Sequence, residues 1–308
     1  MKNGLLLMLA GAACAALASG AIAADQKAPA KATKAAYKAP LAADGHPDLE
    51  GVWNNSSMTP LERLPRFGNR LVMTPEEVKT QEAAEQDYLN QENAPTDPKL
   101  KTEDLPEHCG RDASVGFNPG GVNLTKAGCG YNNAWIDPGD KFMRVGGEPR
   151  TSLITSTADG RLPKTTADYT ARMQERRKIM NGSADNPENR STGDRCITSW
   201  ANHAGPVMLS TTYNNNYQFV QTKDTIAIEA EVLHDVRIVH MNAQHGPKEL
   251  HPFYGDSIGH WDGDTLVVET INYSPNTTLR GAYQDLKVTE RFTRVGPDKM
   301  LYQFKVED

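Results

Sequence analysis

The stretch Ile258-Gly259-His260-Trp261-Asp262-Gly263-Asp264-Thr265-Leu266-Val267-Val268 decides the fold. Two runs rich in β-branched and aromatic residues flank Asp262-Gly263, and Asp-Gly supplies the positive φ angles that a two-residue hairpin turn demands. The same texture spreads outward. Upstream, Tyr217-Gln218-Phe219-Val220 turns at Lys223-Asp224 into Thr225-Ile226-Ala227-Ile228, and Val236-Arg237-Ile238-Val239 reads as another strand. Downstream, Lys287 to Val295 and Met300 to Val306 pair across Gly296-Pro297-Asp298. About seven short strands joined mostly by short turns predict a mainly β protein, an antiparallel meander that closes into a barrel or packs as a sandwich.

The half before this meander is less regular. Thr74-Pro75-Glu76-Glu77 combines an N-cap, a proline at the first helical position and acids in the first turn, so a helix should run from there to about Asn90. A second helix is expected over Ala167 to Met180, with Thr165 or Thr166 as cap and Gly182 just beyond its end. Thr151-Ser152-Leu153-Ile154 reads as a short strand before the Asp159-Gly160 turn, and Asn93 to Asn133 as loop. The expected organisation is a single β-rich domain over 46–308, irregular and helical over 46–205 and a strand meander over 206–308.

The N-terminus carries an address. Met1-Lys2-Asn3 is a short positive start, Leu5 to Leu17 an apolar run and Ala21-Ile22-Ala23 a small-residue cleavage site, the pattern of a secretory signal peptide over residues 1–23. The run is too short and alanine-rich for a membrane span, which needs roughly 20 strongly apolar residues. An Ala/Lys/Pro-rich tether follows over 24–45 with almost nothing to bury. The expectation is a periplasmic or secreted protein with no membrane span. With 33 Lys+Arg against 39 Asp+Glu the chain has a net charge of −6, which argues against a nucleic-acid partner. In an oxidising compartment Cys109 and Cys129 form the natural disulfide, worth roughly 3 kcal/mol for a loop of about 20 residues. Cys196 is then odd.

Several blocks occur in a specific order: His46-Pro47-Asp48-Leu49-Glu50-Gly51-Val52-Trp53, Asp194-Arg195-Cys196-Ile197, His234-Asp235-Val236-Arg237, and Gly255-Asp256-Ser257 leading to Trp261-Asp262-Gly263-Asp264-Thr265-Leu266-Val267-Val268-Glu269-Thr270. With Gly130-Tyr131-Asn132-Asn133 and Glu290-Arg291-Phe292-Thr293-Arg294, they resemble a family of mostly uncharacterised exported bacterial proteins, over nearly all of His46 to Asp308. The resemblance implies a β-rich exported domain and no established reaction. Members usually run on past the point where this chain stops, into a segment with another cysteine, so a truncated chain is expected. A weaker likeness is to lipocalin-like barrels, which often open with a Gly-x-Trp strand, here Gly51-Val52-Trp53.

Candidate chemistry centres on the strand that starts at Leu233. Alternation places His234, Val236, Ile238 and His240 on one face and Asp235, Arg237 and Val239 on the other. Asp235 and Arg237 could therefore pair. If that face is interior, the pair is expensive unless it positions something, and with Glu290 and Arg291 nearby it would form a polar floor for a ligand's carboxylate or hydroxyl. Trp135 and Tyr217, among aromatic and Asn-rich segments, are candidates to line the same cavity. The preferred function is binding of a small, partly apolar molecule in a hollow barrel. The alternative is an enzyme, a lyase, isomerase or hydrolase of small organic compounds, with His234 or His240 as general base and Arg237 stabilising developing negative charge. Gly255-Asp256-Ser257-Ile258-Gly259 matches a nucleophile elbow, but a strand and hairpin follow where a helix is required. No His-x-His, His-x-x-x-His or His-Glu-x-x-His spacing marks a metal site. Neither a dinucleotide fingerprint nor a P-loop is present, so no cofactor is expected. The oligomeric state is left open.

Overall fold

The structure is a computed structural model and describes residues 37–92, 99, 139–180, 185–198, 205–211, 214–275, 279, 282 and 285–308. The signal peptide and most of the tether, nearly all of the expected loop from Asn93 to Asn133, Cys109, Cys129, Trp135 and Gly182 lie outside the described residues. Among the described residues, ten strands and two α-helices follow in chain order. β1 is Gly51–Asn54, β2 Arg144–Val145 and β3 Glu148–Pro149. β4 is Asn216–Gln221, β5 Thr225–Ala230, β6 Asp235–Met241 and β7 Asp256–Asp262. β8 is Thr265–Ile271, β9 Lys287–Gly296 and β10 Lys299–Glu307. Helix α1 is Pro75–Glu92 and α2 is Ala167–Met180.

Eight strands form one sheet in the order β1-β4-β5-β6-β7-β8-β9-β10, and β2 with β3 forms a separate hairpin. The large sheet is curled nearly into a barrel. β4 and β9 are five ladders apart in that order, about 24 Å if the sheet were flat, yet the Phe219 and Phe292 rings meet edge to face at 5.4 Å. The alternation read from the sequence is what points these rings inward. In β4, Tyr217, Phe219 and Gln221 are buried while Gln218 and Val220 are exposed; in β6, Arg237, Val239 and Met241 are buried while Val236, Ile238 and His240 are exposed.

Two expectations about this sheet are corrected. The meander is not antiparallel throughout: β6 and β7 run parallel, with Val239 opposite Ser257 and Met241 opposite Gly259. The connection over 242–255 returns along the barrel, tied by Asn242 N–H to the Gly259 carbonyl (2.7 Å) and by Gly246 N–H to the Asp256 carboxylate (2.7 Å). At the deciding hairpin Asp262 pairs with Thr265, so the two-residue loop is Gly263-Asp264 and only Gly263 takes a positive φ (59°). A glycine leading a two-residue loop satisfies the turn as well as Asp-Gly would.

The middle of the barrel is filled by its own side chains, which corrects the expected hollow. Phe219, Ile226, Ile228, Val239, Met241, Leu266, Val268 and Phe292 form one buried cluster. Packing is close enough that a Cβ on Gly259 would stand 2.8 Å from Val239 Cγ1 and 2.9 Å from Met241 Sδ.

One end of the barrel is stoppered by the block that precedes β1. Leu49 is fully buried, its N–H donating to Gln221 Oε1 (3.0 Å), while Gln221 Nε2 donates to Asp44. Arg294 donates to the Asp48 carbonyl (2.7 Å) and lies over the Trp53 ring, and the His46 ring stacks on Trp261 at 4.9 Å. Trp53 is half-buried and packs against the central cluster.

β1 and β10 are the two edges of the sheet, and among the described residues no ladder joins them. Toward the other end, the 205–211 segment bridges this seam. The Met208 carbonyl accepts from Asn55 Nδ2 (3.1 Å), and Met208 N–H donates to the Tyr302 hydroxyl (3.0 Å). Val207 and Leu209 pack with Tyr273, Leu286, Val288 and Phe304.

The region before β4 has its own small core of Met58, Phe67, Met73, Val78 and Phe142. Helix α1 starts as the sequence dictates: Glu77 N–H donates to Thr74 Oγ1 (3.2 Å) and Thr74 N–H to Glu77 Oε2 (2.8 Å), a capping box. Arg70 grips the same carboxylate with two bonds of 2.6 Å, which holds the Glu77 pKa down at about 2. The expected strand at Thr151 to Ile154 is absent. Its backbone is satisfied irregularly instead, Thr151 N–H by Leu71, Leu153 by Pro60 and Ile154 by Leu61, while buried Arg63 reaches Thr151 Oγ1 (3.0 Å) and the Ala158 carbonyl (2.7 Å). Helix α2 buries no residue. Cys196 is a free, exposed cysteine. No helix among the described residues is long and apolar enough to cross a membrane.

Candidate functional site

The end of the barrel away from the Leu49 stopper is polar. It gathers the starts of β4, β6, β7 and β9 and the ends of β5 and β8, as the registers require. Inward alternation delivers Tyr217 from β4, Arg237 from β6, Ser257 from β7, Thr270 from β8 and Glu290 from β9.

Arg237 and Glu290 form a two-pronged ion pair: Nη1 contacts Oε2, and Nη2 lies 3.2 Å from Oε1. Their side chains are 3% and 0% exposed, so both charges have left water. Burial works against the charge on Arg237, but the adjacent carboxylate outweighs it and holds the guanidinium pKa above its ordinary value. The Tyr302 hydroxyl donates to Glu290 Oε1 (2.8 Å) while accepting from Met208 N–H, so one phenol links the seam to the ion pair. Tyr217 and Tyr273 feel the charges of both partners. Burial, the largest cause in each case, pushes the pKa of Tyr217, Tyr273 and Tyr302 above the usual tyrosine value, leaving three neutral phenols around one ion pair.

Hydrogen bonding here is incomplete. Arg237 Nε is buried and has no partner among the described residues. The same is true of Asn55 Oδ1 and Asn272 Nδ2 in the segments that leave β1 and β8. The Ser257 and Thr270 hydroxyls share a bond of 2.8 Å. Thr270 also stands near the Tyr273 hydroxyl, but no hydrogen bond of ordinary geometry joins those two. Buried polar atoms without partners are rare enough in folded proteins that each calls for an explanation.

The candidate residues from the sequence divide into three groups. Arg237, Glu290 and Tyr217 are brought together at the polar end. Asp235 shares the inward face of β6 with Arg237, but its carboxylate accepts from the Tyr254 hydroxyl; the partner of Arg237 comes from across the barrel. Arg291 and both histidines are placed elsewhere. Arg291 points outward from β9 and pairs with exposed Asp262 at 2.8 Å. His240 faces outward on β6. His234 precedes that strand, in a 3-10 turn where Leu233 and His234 both take positive φ (58° and 54°), and it is exposed.

His245, on the β6–β7 connection, does engage carboxylates. Its Nδ1 lies 3.0 Å from Asp256 Oδ2 and its Nε2 3.3 Å from Glu269 Oε1, with Lys287 also on Glu269. Among the described residues no group of three His, Cys, Asp or Glu side chains could hold a metal ion. Ser257 is a buried strand residue bonded to Thr270, not a serine at a strand-to-helix turn.

Sequence reading missed Tyr302, Tyr273 and Met208. The alternation Met300-x-Tyr302-x-Phe304 on β10 was a usable signal for Tyr302. Tyr273 and Met208 lie in irregular segments whose position no periodicity reports. In comparison with known proteins, the chain matches no family model, no curated protein and no solved structure.

Proposed function

We propose that the protein is an exported binding protein that holds a small, partly apolar molecule at the polar end of its barrel. The observation that carries this reading is the buried Arg237–Glu290 pair, ringed by phenols and left with an unpartnered Nε among the described residues. A buried ion pair adds little stability over apolar side chains of the same volume, so its presence beside an apolar barrel middle is better explained by recognition. Apolar walls with a few converging polar groups are the usual composition of small-molecule sites. The filled middle of the barrel restricts such a ligand to the end.

Export rests on the three-part pattern of residues 1–23, and kinship with the exported family whose ordered blocks the chain shares belongs to the same proposal. N-terminal sequencing of the exported protein is expected to begin at Ala24. The enzyme alternative draws no support from its proposed bases, since His234 and His240 are exposed and His240 is on the face opposite Arg237.

A thermal-shift screen of small aromatic and alicyclic compounds on the full chain tests the reading. A ligand at a hundred times its Kd adds about 2.7 kcal/mol, a shift of several degrees. If no compound moves the melting temperature, the binding function is refuted.

A further inference from the structure

The chemistry of the polar end also selects among ligands. Both terminal nitrogens of Arg237 are taken by Glu290, so the guanidinium charge is matched one to one. Asp235 adds a second carboxylate on the same inward face, already served by Tyr254. Lys287 serves Glu269, and His245 bridges Glu269 and Asp256 on the β6–β7 connection. Among the described residues the inward-facing charges at this end are therefore one cation and two anions, a net of −1. A carboxylate entering here would give up its hydration and find no surplus positive charge.

What the site leaves open is hydrogen bonding without charge. Arg237 Nε and Asn272 Nδ2 are orphaned donors among the described residues, Tyr273 carries a hydroxyl without a normal partner, and Asn55 Oδ1 makes no hydrogen bond of ordinary geometry there although the Asn55 amide stands beside the Tyr217 phenol. Donors outnumber acceptors, so the complementary ligand is rich in acceptor oxygen.

Resting on the binding reading above, we propose that the ligand is an uncharged, partly apolar molecule presenting a carbonyl oxygen, with a hydroxyl as its second polar group, and that carboxylates are rejected. The carbonyl accepts from Arg237 Nε and Tyr273, and the hydroxyl donates to Asn55. A site whose buried polar groups are built for one pattern rejects a mismatched analogue strongly, because the mismatch leaves groups unpaired.

The test is isothermal titration calorimetry on the full chain with two probes of near-equal shape, 4-hydroxyacetophenone and 4-hydroxybenzoate, at neutral pH. The ketone is expected to bind at least about tenfold more tightly than the carboxylate. Tyr273→Phe, which keeps the ring and its packing, should weaken ketone binding by about tenfold while leaving the melting temperature of the free protein unchanged. Tighter binding of 4-hydroxybenzoate would overturn the ligand class but leave the binding function standing. Ketone affinity unchanged in Tyr273→Phe would overturn the assignment of the donors. If neither probe binds, and the wider compound screen also moves nothing, the binding function itself falls.

Discussion

Replacing Arg237 with methionine removes one half of a charge pair that no other described residue at the polar end neutralises. The carboxylate of Glu290 is wholly buried and, among the described residues, would keep only the Tyr302 hydroxyl, at 2.8 Å, as partner. Breaking a buried pair by deleting one member costs about 3–5 kcal/mol. For a chain of this size that lowers the melting temperature by roughly 6–20 °C. The double variant Arg237→Met, Glu290→Leu removes both charges and leaves an apolar filling of similar volume. Its remaining defect is the Tyr302 hydroxyl without its acceptor, about 1 kcal/mol. It should therefore lie within about 2 kcal/mol of the unmodified protein. Urea unfolding followed by tryptophan fluorescence measures both variants. A single variant that loses less than about 1 kcal/mol, or a double variant as damaged as the single, would show that water reaches this pair and would remove the argument that its burial implies recognition.

Three further outcomes are expected. Glu77→Gln should destabilise by about 1 kcal/mol at neutral pH by weakening the capping box and the Arg70 clamp. Because the Glu77 pKa is lowered to about 2, that contribution is complete above the unfolded value and disappears as pH falls toward 2. Urea midpoints of the two proteins should thus converge in acid; a pH-independent gap contradicts the clamp. The phenols of Tyr217, Tyr273 and Tyr302 have raised pKa values, so the unfolded chain sheds those protons first and stability falls as pH rises through the ordinary tyrosine range near 10. Absorbance titration should show these phenolates appearing only with unfolding. Gly255→Ala should cost more than about 2 kcal/mol, since Gly255 has φ +72° and an added Cβ would lie 2.7 Å from the Ile271 carbonyl oxygen; a melting temperature unchanged from the parent would contradict that geometry.

Much of the fold was legible because strands announce themselves through alternation. Phe219, Ile226, Ile228, Leu266 and Phe292 all sit at every-second-residue positions, and all turned inward. Helix α1 was legible from Thr74, Pro75 and Glu77, whose side chains act on their own neighbours. The parallel pairing of β6 with β7 was not, because strand texture carries no direction and the 242–255 connection has no regular pattern. Arg237 and Glu290 were recognised as interior candidates, yet their mutual pairing was not, since Asp235 is two residues away and Glu290 is 53. Curvature of the sheet decides between those partners, and curvature is a property of eight strands together. His240 and Arg291 illustrate the converse: a residue type suited to chemistry conveys nothing about which face the sheet will bury.

In a fully closed barrel, admitting a molecule between two strands means rupturing a run of backbone bonds. Here the seam between β1 and β10 is held near the polar end by Asn55 and Tyr302, each bonded to one side of Met208. Parting the two edge strands along this line therefore breaks side-chain bonds and the apolar packing of Val207 and Leu209, not a run of backbone hydrogen bonds.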